Sequence, residues 1–183
     1  MFDGEECEFS NEAIFVSVIR TDVNGLREHL IKDPNAVNAN LKGPNDNESS
    51  ILLFAASTST IEVVGELLDH GAHIDEVVKS GTALGLAACV GKTDMVRYLL
   101  SRGARDDIPV TDDCSPLLTA AKNGHAEVCK VLVEHGSDIN QQHPLTKDSA
   151  LSYAALNAHH ATLLTLLSLV PGLTLRLMMA LLH

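Results

Sequence analysis

His125 and Cys129 stand four residues apart, so they share a face of any helix that carries them. Such a pair could activate a thiolate nucleophile, or supply half of a tetrahedral zinc site. Zinc needs two more ligands, and Cys114 and His135 are nearby in sequence. His159-His160 resembles a second pair of metal ligands. Asp106-Asp107 and Asp112-Asp113 are paired carboxylates of the sort that acid–base catalysis uses. They sit in the polar stretch RDDIPVTDD (105–113), where nothing apolar would raise a carboxyl pKa. No phosphate-cradling G-x-x-x-x-G-K-[ST] loop, G-x-S-x-G elbow or H-E-x-x-H helix is present in the sequence.

The elements around these residues decide between the readings. Residues 50–75 (SILLFAASTSTIEVVGELLDHGAHID), 82–107 (TALGLAACVGKTDMVRYLLSRGARDD) and 115–140 (SPLLTAAKNGHAEVCKVLVEHGSDIN) are copies of one unit. Leu52, Leu84 and Leu117 align, as do Ala55-Ala56, Ala87-Ala88 and Ala120-Ala121, and Gly71, Gly103 and Gly136 close the copies. The period is 32, then 33, and continues at 34 into Ala154-Ala155. A weaker copy over 14–30 precedes them, followed by the extended loop NANLKGPNDNESS. About five units result.

Local rules turn each unit into a pair of helices. Thr82, Ser115 and Ser149 stand where an N-cap belongs, and Pro116 takes the first helical position, where its missing N–H is harmless. A short first helix carries the Ala pair, whose small side chains let a neighbouring helix approach. Gly91 or Gly124 ends it, and an apolar stripe such as VCKVLV marks a second helix. One unit cannot bury its own apolar face, so units must stack. The expected fold is an all-α solenoid of stacked helix-turn-helix units with projecting hairpin loops. In that frame His125 opens the second helix and Cys129 lies in its buried stripe, so neither metal, cofactor nor catalysis is expected.

The pattern S-P-L-x-x-A-A-x-x-G-H-x-x-V-x-x-L-x-x-x-G-x-D-I-N over residues 115–140 resembles the ankyrin repeat, and the resemblance covers roughly 11–168. It divides the chain into an acidic tail (1–10), repeats at about 11–45, 46–78, 79–111, 112–145 and 146–168, and a hydrophobic segment (169–183). The family's T-P-L-H reads TALG, SPLL and SALS here, and Ser80 and Asp113 replace the hairpin glycine. The resemblance implies a non-catalytic protein-interaction module, a scaffold or adaptor that binds a protein or peptide in a concave groove. The groove positions on the first helices are Ser57, Val90, Lys122 and Asn123. At the loop tips they are Val78, Lys79, Ser80, Thr111, Asp112, Asp113, Gln142 and His143. Leu53 and Leu118 are expected to be partly buried beside them. A basic partner docking on the Asp-rich loop is one reading of 105–113, and a purely solvating loop is the other. The resemblance also marks Asn140 as a candidate for asparaginyl hydroxylation, beside a structural reading in which it bonds the turn backbone.

Composition narrows the partners. The 183 residues carry 13 Lys+Arg against 24 Asp+Glu, a net charge of −11 without a basic run, which opposes binding to nucleic acid or anionic lipid. Aromatics make up only 3%, which suits closely packed Ala- and Leu-rich helices. Cys7, Cys89, Cys114 and Cys129 form no disulfide framework, and the start, MFDGEECEF, is acidic where a signal peptide would be basic. A cytoplasmic or nuclear location is expected.

Residues 161–183 contain one charge, Arg176, and are long enough for a membrane span, but Pro171-Gly172 divides them into pieces too short to cross. The first piece fits the second helix of the fifth unit. The remainder reads as a partial sixth repeat, as the start of a longer array, or as a self-association surface. Two further functional readings stand beside the interaction module. One is the substrate-recruiting part of a larger enzyme or ubiquitin-ligase assembly. The other is a membrane-associated regulator anchored by 161–183.

Overall fold

The first helices of units 2 to 5 each start at a hydroxyl that caps them. Ser50, Thr82, Ser115 and Ser149 accept hydrogen bonds from the backbone N–H three residues on, at 3.3, 3.1, 3.4 and 3.3 Å. The computed structural model describes residues 13–38, 40–42, 48–79, 81–110 and 114–170. The first unit holds α1 (13–19) and α2 (Val23–Lys32), followed by a 3₁₀ turn at Pro34–Asn38. The helix pairs of the next four units are α3 (Ile51–Thr58) and α4 (Ile61–Asp69), α5 (Ala83–Val90) and α6 (Thr93–Ser101), α7 (Pro116–Lys122) and α8 (Ala126–His135), and α9 (Ala150–Leu156) and α10 (His160–Leu169).

First helices pack on first helices in chain order, α3 on α5 on α7 on α9. Second helices do the same from α2 through α10. The small residues permit this. Ala55, Ala56, Ala87, Ala88, Ala120 and Ala121 have no exposed surface, and Leu52, Leu84 and Leu117 beside them are at most 1% exposed. The result is one continuous core under five stacked units. The all-α solenoid expected from the repeat is the fold observed.

The turns that close the helices also follow the sequence. Gly91 and Gly124 reverse the chain after α5 and α7 at φ +83° and +82°, a region that side chains with a Cβ avoid. In the first and last units Thr21 (φ 54°) and Ala158 (φ 57°) take the same position without being glycine.

Three expectations need correction. Leu53 and Leu118 are not partly buried beside an open face. They are 0% and 1% exposed, because the stacked first helices close over them. The hairpin tip of the third unit keeps a glycine. Gly81, one residue beyond the expected position, adopts φ +105°, and its N–H and C=O bond both polar groups of Val78 (2.8 and 3.1 Å). The loop between the first two units is not wholly extended coil: β1 (Asn40–Lys42) pairs antiparallel with β2 (Glu48–Ser50), Leu41 facing Ser49.

Candidate interaction surface

The chemistry-bearing residues of the sequence turn out to join one unit to the next. His125, at the start of α8, donates from Nε2 to the Cys89 carbonyl of the preceding unit at 2.9 Å, which fixes its tautomer. Its ring lies over Gly91, where a Cβ would come within 2.5 Å of Nδ1. His159 repeats the arrangement one unit later, reaching the Lys122 carbonyl at 3.0 Å with its ring over Gly124. Lys92 occupies the same frame position and donates from Nζ to the Ser59 carbonyl at 3.0 Å, where burial lowers its pKa. These residues are stitches between units. His159, which the sequence pairs with His160 in the manner of metal ligands, is one of these stitches.

Cys129 is fully buried, and desolvation pushes its thiol up to about 12. A thiol held that high is not a nucleophile at neutral pH. Among the described residues no cluster of three or more His, Cys, Asp or Glu side chains could hold a metal ion. No described helix is long and apolar enough to cross a membrane.

Side chains left over from stacking are exposed on the first helices and at the loop tips. Val90 on α5 is 53% exposed and Lys122 at the end of α7 is exposed, while Ser57 on α3 is half-buried with its hydroxyl donating to Phe54 O. Asn123 is exposed, but its Nδ2 donates to Cys89 O at 3.0 Å and contacts Cys89 Sγ at 3.3 Å, so its amide is partly occupied. At the tips Lys79 and Gln142 are exposed and Val78 is half-buried. Ser80, Thr111, Asp112 and Asp113 lie outside the described residues.

His143 does not belong to the surface. It is 5% exposed, its Nδ1 accepts from the backbone N–H groups of Leu145 and Thr146 at 3.3 and 3.1 Å, and its ring meets Tyr153 edge-on at 6.4 Å. It shapes the turn that carries Gln142. Asn140 is exposed, and its backbone N–H is bonded by Asp138 Oδ1 at 2.9 Å. The equivalent Asn38 of the first unit instead bridges forward, donating to Gly71 O (3.1 Å) and accepting from His73 N (3.0 Å).

The acidic loop is also partly committed. Arg105 grips Asp107 through Nε (3.0 Å) and an Nη (2.8 Å), and these hydrogen bonds hold the Asp107 carboxyl below the usual aspartate range. Asp106 accepts a hydrogen bond from Ser137 in the next unit. The Asp107 carboxyl, lowered rather than raised, is not placed to act as a general acid.

Two exposed apolar side chains at the loop tips carry little mark in the sequence. Val77 (61%) and Leu145 (78%) project from the loops that precede α5 and α9. Alternation along the Val77-Val78 pair was the available signal, since only one of two successive extended residues can face inward. On the first unit Val16 and Ile19 are 41% and 55% exposed, and the rings of Phe15 and Phe54 meet at a tilt of 52° with centroids 4.7 Å apart.

A solenoid of stitched helix pairs, each copy stacking on the next through the same frame positions, is a repeat protein. The family model described as "Ankyrin repeats (3 copies)" matches residues 20–112 and 104–174, and the chain belongs to the ankyrin repeat family. It is 39% identical over 80 residues to the human "Ankyrin repeat and KH domain-containing protein 1", covering 43% of this chain and 3% of that protein. Its identity to "Ankyrin repeat and KH domain-containing protein mask-1" of Caenorhabditis elegans is 36% over 118 residues, covering 61% of this chain and 4% of the relative. The "E3 ubiquitin-protein ligase Ufd4" of Drosophila melanogaster is 29% identical over 115 residues, again 61% of this chain and 4% of the relative. The chain thus spans only a small fraction of the length of these relatives.

Proposed function

We propose that the chain is a non-catalytic recognition module that binds a protein or peptide across the exposed first-helix face and the loop tips. The observation that carries this reading is a division of labour. Frame residues such as His125, His159, Gly91 and the Ala pairs are used in stacking, while the positions where the copies differ, Val77, Val90, Lys122 and Leu145, stay exposed. Apolar side chains displayed beside polar ones are what a specific, moderately sized interface uses. A basic partner remains part of the proposal, resting on Asp112 and Asp113, since Asp106 and Asp107 already have partners. Hydroxylation of Asn140 is compatible with its exposure. Cys89 and Cys129, both free thiols, suit a reducing cytoplasmic or nuclear compartment.

A photo-crosslinking amino acid at Val90 or Lys122 tests the reading against the same group at Glu134 on α8. Adducts to one partner from the first two positions and none from the third are expected. Adducts from Glu134 alone would place the binding surface on the opposite layer and sink the proposal. A second reading, recognition within a larger ubiquitin ligase, draws on the likeness to Ufd4. It is checked by whether a captured partner becomes ubiquitinated when the intact protein is supplied with the ubiquitin-activating and conjugating enzymes.

A further inference from the structure

The boundary between the second and third units departs from the two later ones on both of its sides. At those later boundaries a histidine, His125 or His159, lies over a glycine and bonds the carbonyl two residues before it. Here Ser59 takes the glycine position in an extended conformation (φ −97°, ψ −171°), and Lys92 takes the histidine position. The Lys92 Nζ reaches the carbonyl of Ser59 itself, at 3.0 Å. Beside it a cleft of about 470 Å³ opens between the starts of α4 and α6. Ile61 and Met95 give the cleft an apolar wall, while Ser59, Thr60 and Thr93 give it a polar one. Asp94 also lines it, yet among the described residues no carboxylate forms an ion pair with Lys92. The amine is therefore half-buried, open to a cleft and without a counter-ion. Such surroundings favour its neutral form, which is the nucleophile, and burial lowers its pKa accordingly.

We propose that Lys92 is a site of acylation by short-chain acyl thioesters, with the cleft between α4 and α6 receiving the acyl group. The ammonium first loses a proton to solvent, and the neutral amine attacks the thioester carbonyl carbon. A C–N bond forms, the C–S bond breaks with its electron pair going to sulfur, and one amine proton passes to the departing thiolate. The product amide keeps one N–H, enough for the bond to Ser59 O, and the positive charge at the boundary is gone. The short acyl chain packs against Ile61 and Met95. Lysine suits this chemistry because its amine sheds its proton readily when partly buried, which an arginine at the same position would not do.

The test incubates the folded full-length chain with acetyl-coenzyme A at mildly alkaline pH. Peptide mass spectrometry then compares acetylation of Lys92 with that of Lys79 and Lys147, both exposed, in the same molecules. Lys92 is expected to react several-fold faster than either, and the three rates are expected to converge in chain unfolded by urea. A Lys92 that reacts no faster than the exposed lysines in the folded chain would overturn the proposal. So would a lead that persists in urea, since it would come from local sequence and not from the cleft. Independently, Ile61→Trp places a bulky ring in the cleft and is expected to slow Lys92 while leaving Lys79 and Lys147 unchanged. An undiminished lead for Lys92 in folded Ile61→Trp protein would equally overturn it.

Discussion

Replacing Gly91 by Ala separates two costs that the fold combines at one position. At φ +83° any residue with a Cβ loses about 1–2 kcal/mol of backbone energy. The new Cβ also lies 2.5 Å from Nδ1 and 2.6 Å from Cε1 of His125, so the ring must move. Displacing it breaks the bond to the Cys89 carbonyl, worth about 1 kcal/mol, and adds overpacking of about 1–3 kcal/mol. Gly103 is the control, since its φ is +90° and nothing lies within 4 Å of where its Cβ would stand. Gly103→Ala is therefore expected to cost about 1–2 kcal/mol and Gly91→Ala about 3–6 kcal/mol. Urea unfolding followed by circular dichroism reads the difference, and melting temperatures should differ by about 4–8 °C for a gap of about 2 kcal/mol. Removing the ring should recover part of the loss, so Gly91→Ala/His125→Ala should cost less than the two single changes added. Equal losses at Gly91 and Gly103, or strict additivity with His125, would refute the view that His125 acts as a stitch across the unit boundary.

Two further outcomes follow from buried polar groups and charge. Thr162 is 0% exposed in the column otherwise filled by Val63, Met95 and Val128, and its hydroxyl has no hydrogen-bond partner. Thr162→Val should raise stability by about 1 kcal/mol in thermal unfolding, and a loss would show that the hydroxyl is satisfied. Arg27 bonds both oxygens of Glu66 at 2.8 Å across the first unit boundary and lowers the Glu66 pKa. The Glu66 contribution is therefore complete above the unfolded carboxyl value of about 4.3 and is lost as pH falls through the lower folded value. Glu66→Gln should make the urea midpoint less sensitive to acidification below about pH 5, whereas an identical pH profile would show the pair to be inert.

The sequence carried the frame because each frame residue answers to a local rule. A hydroxyl caps, a proline starts, a glycine reverses the chain, and paired alanines allow close approach. What escaped it depends on how side chains fold back on the chain or meet neighbouring elements. His143 looks like an exposed tip residue in QQHPLT, and only the arrival of Tyr153 with two backbone donors makes it a buried bracket. Asp107 looks like part of a free acidic cluster until Arg105 folds back on it. Leu118 looks half-open until α5 and α9 close around α7. The exposed Val77 and Leu145 gave only weak signals, because a single apolar residue in a loop is common in any sequence.

The central division between stacking residues and binding residues is tested most directly by changing only the latter. A chain carrying Val77→Asp, Val90→Asp, Lys122→Glu and Leu145→Asp should unfold within about 1 kcal/mol of the wild type, because surface substitutions away from packed contacts change stability little. Its affinity for the partner crosslinked at Val90 should fall at least tenfold by calorimetry. Unchanged affinity in a chain of unchanged stability would contradict the assignment of the binding surface.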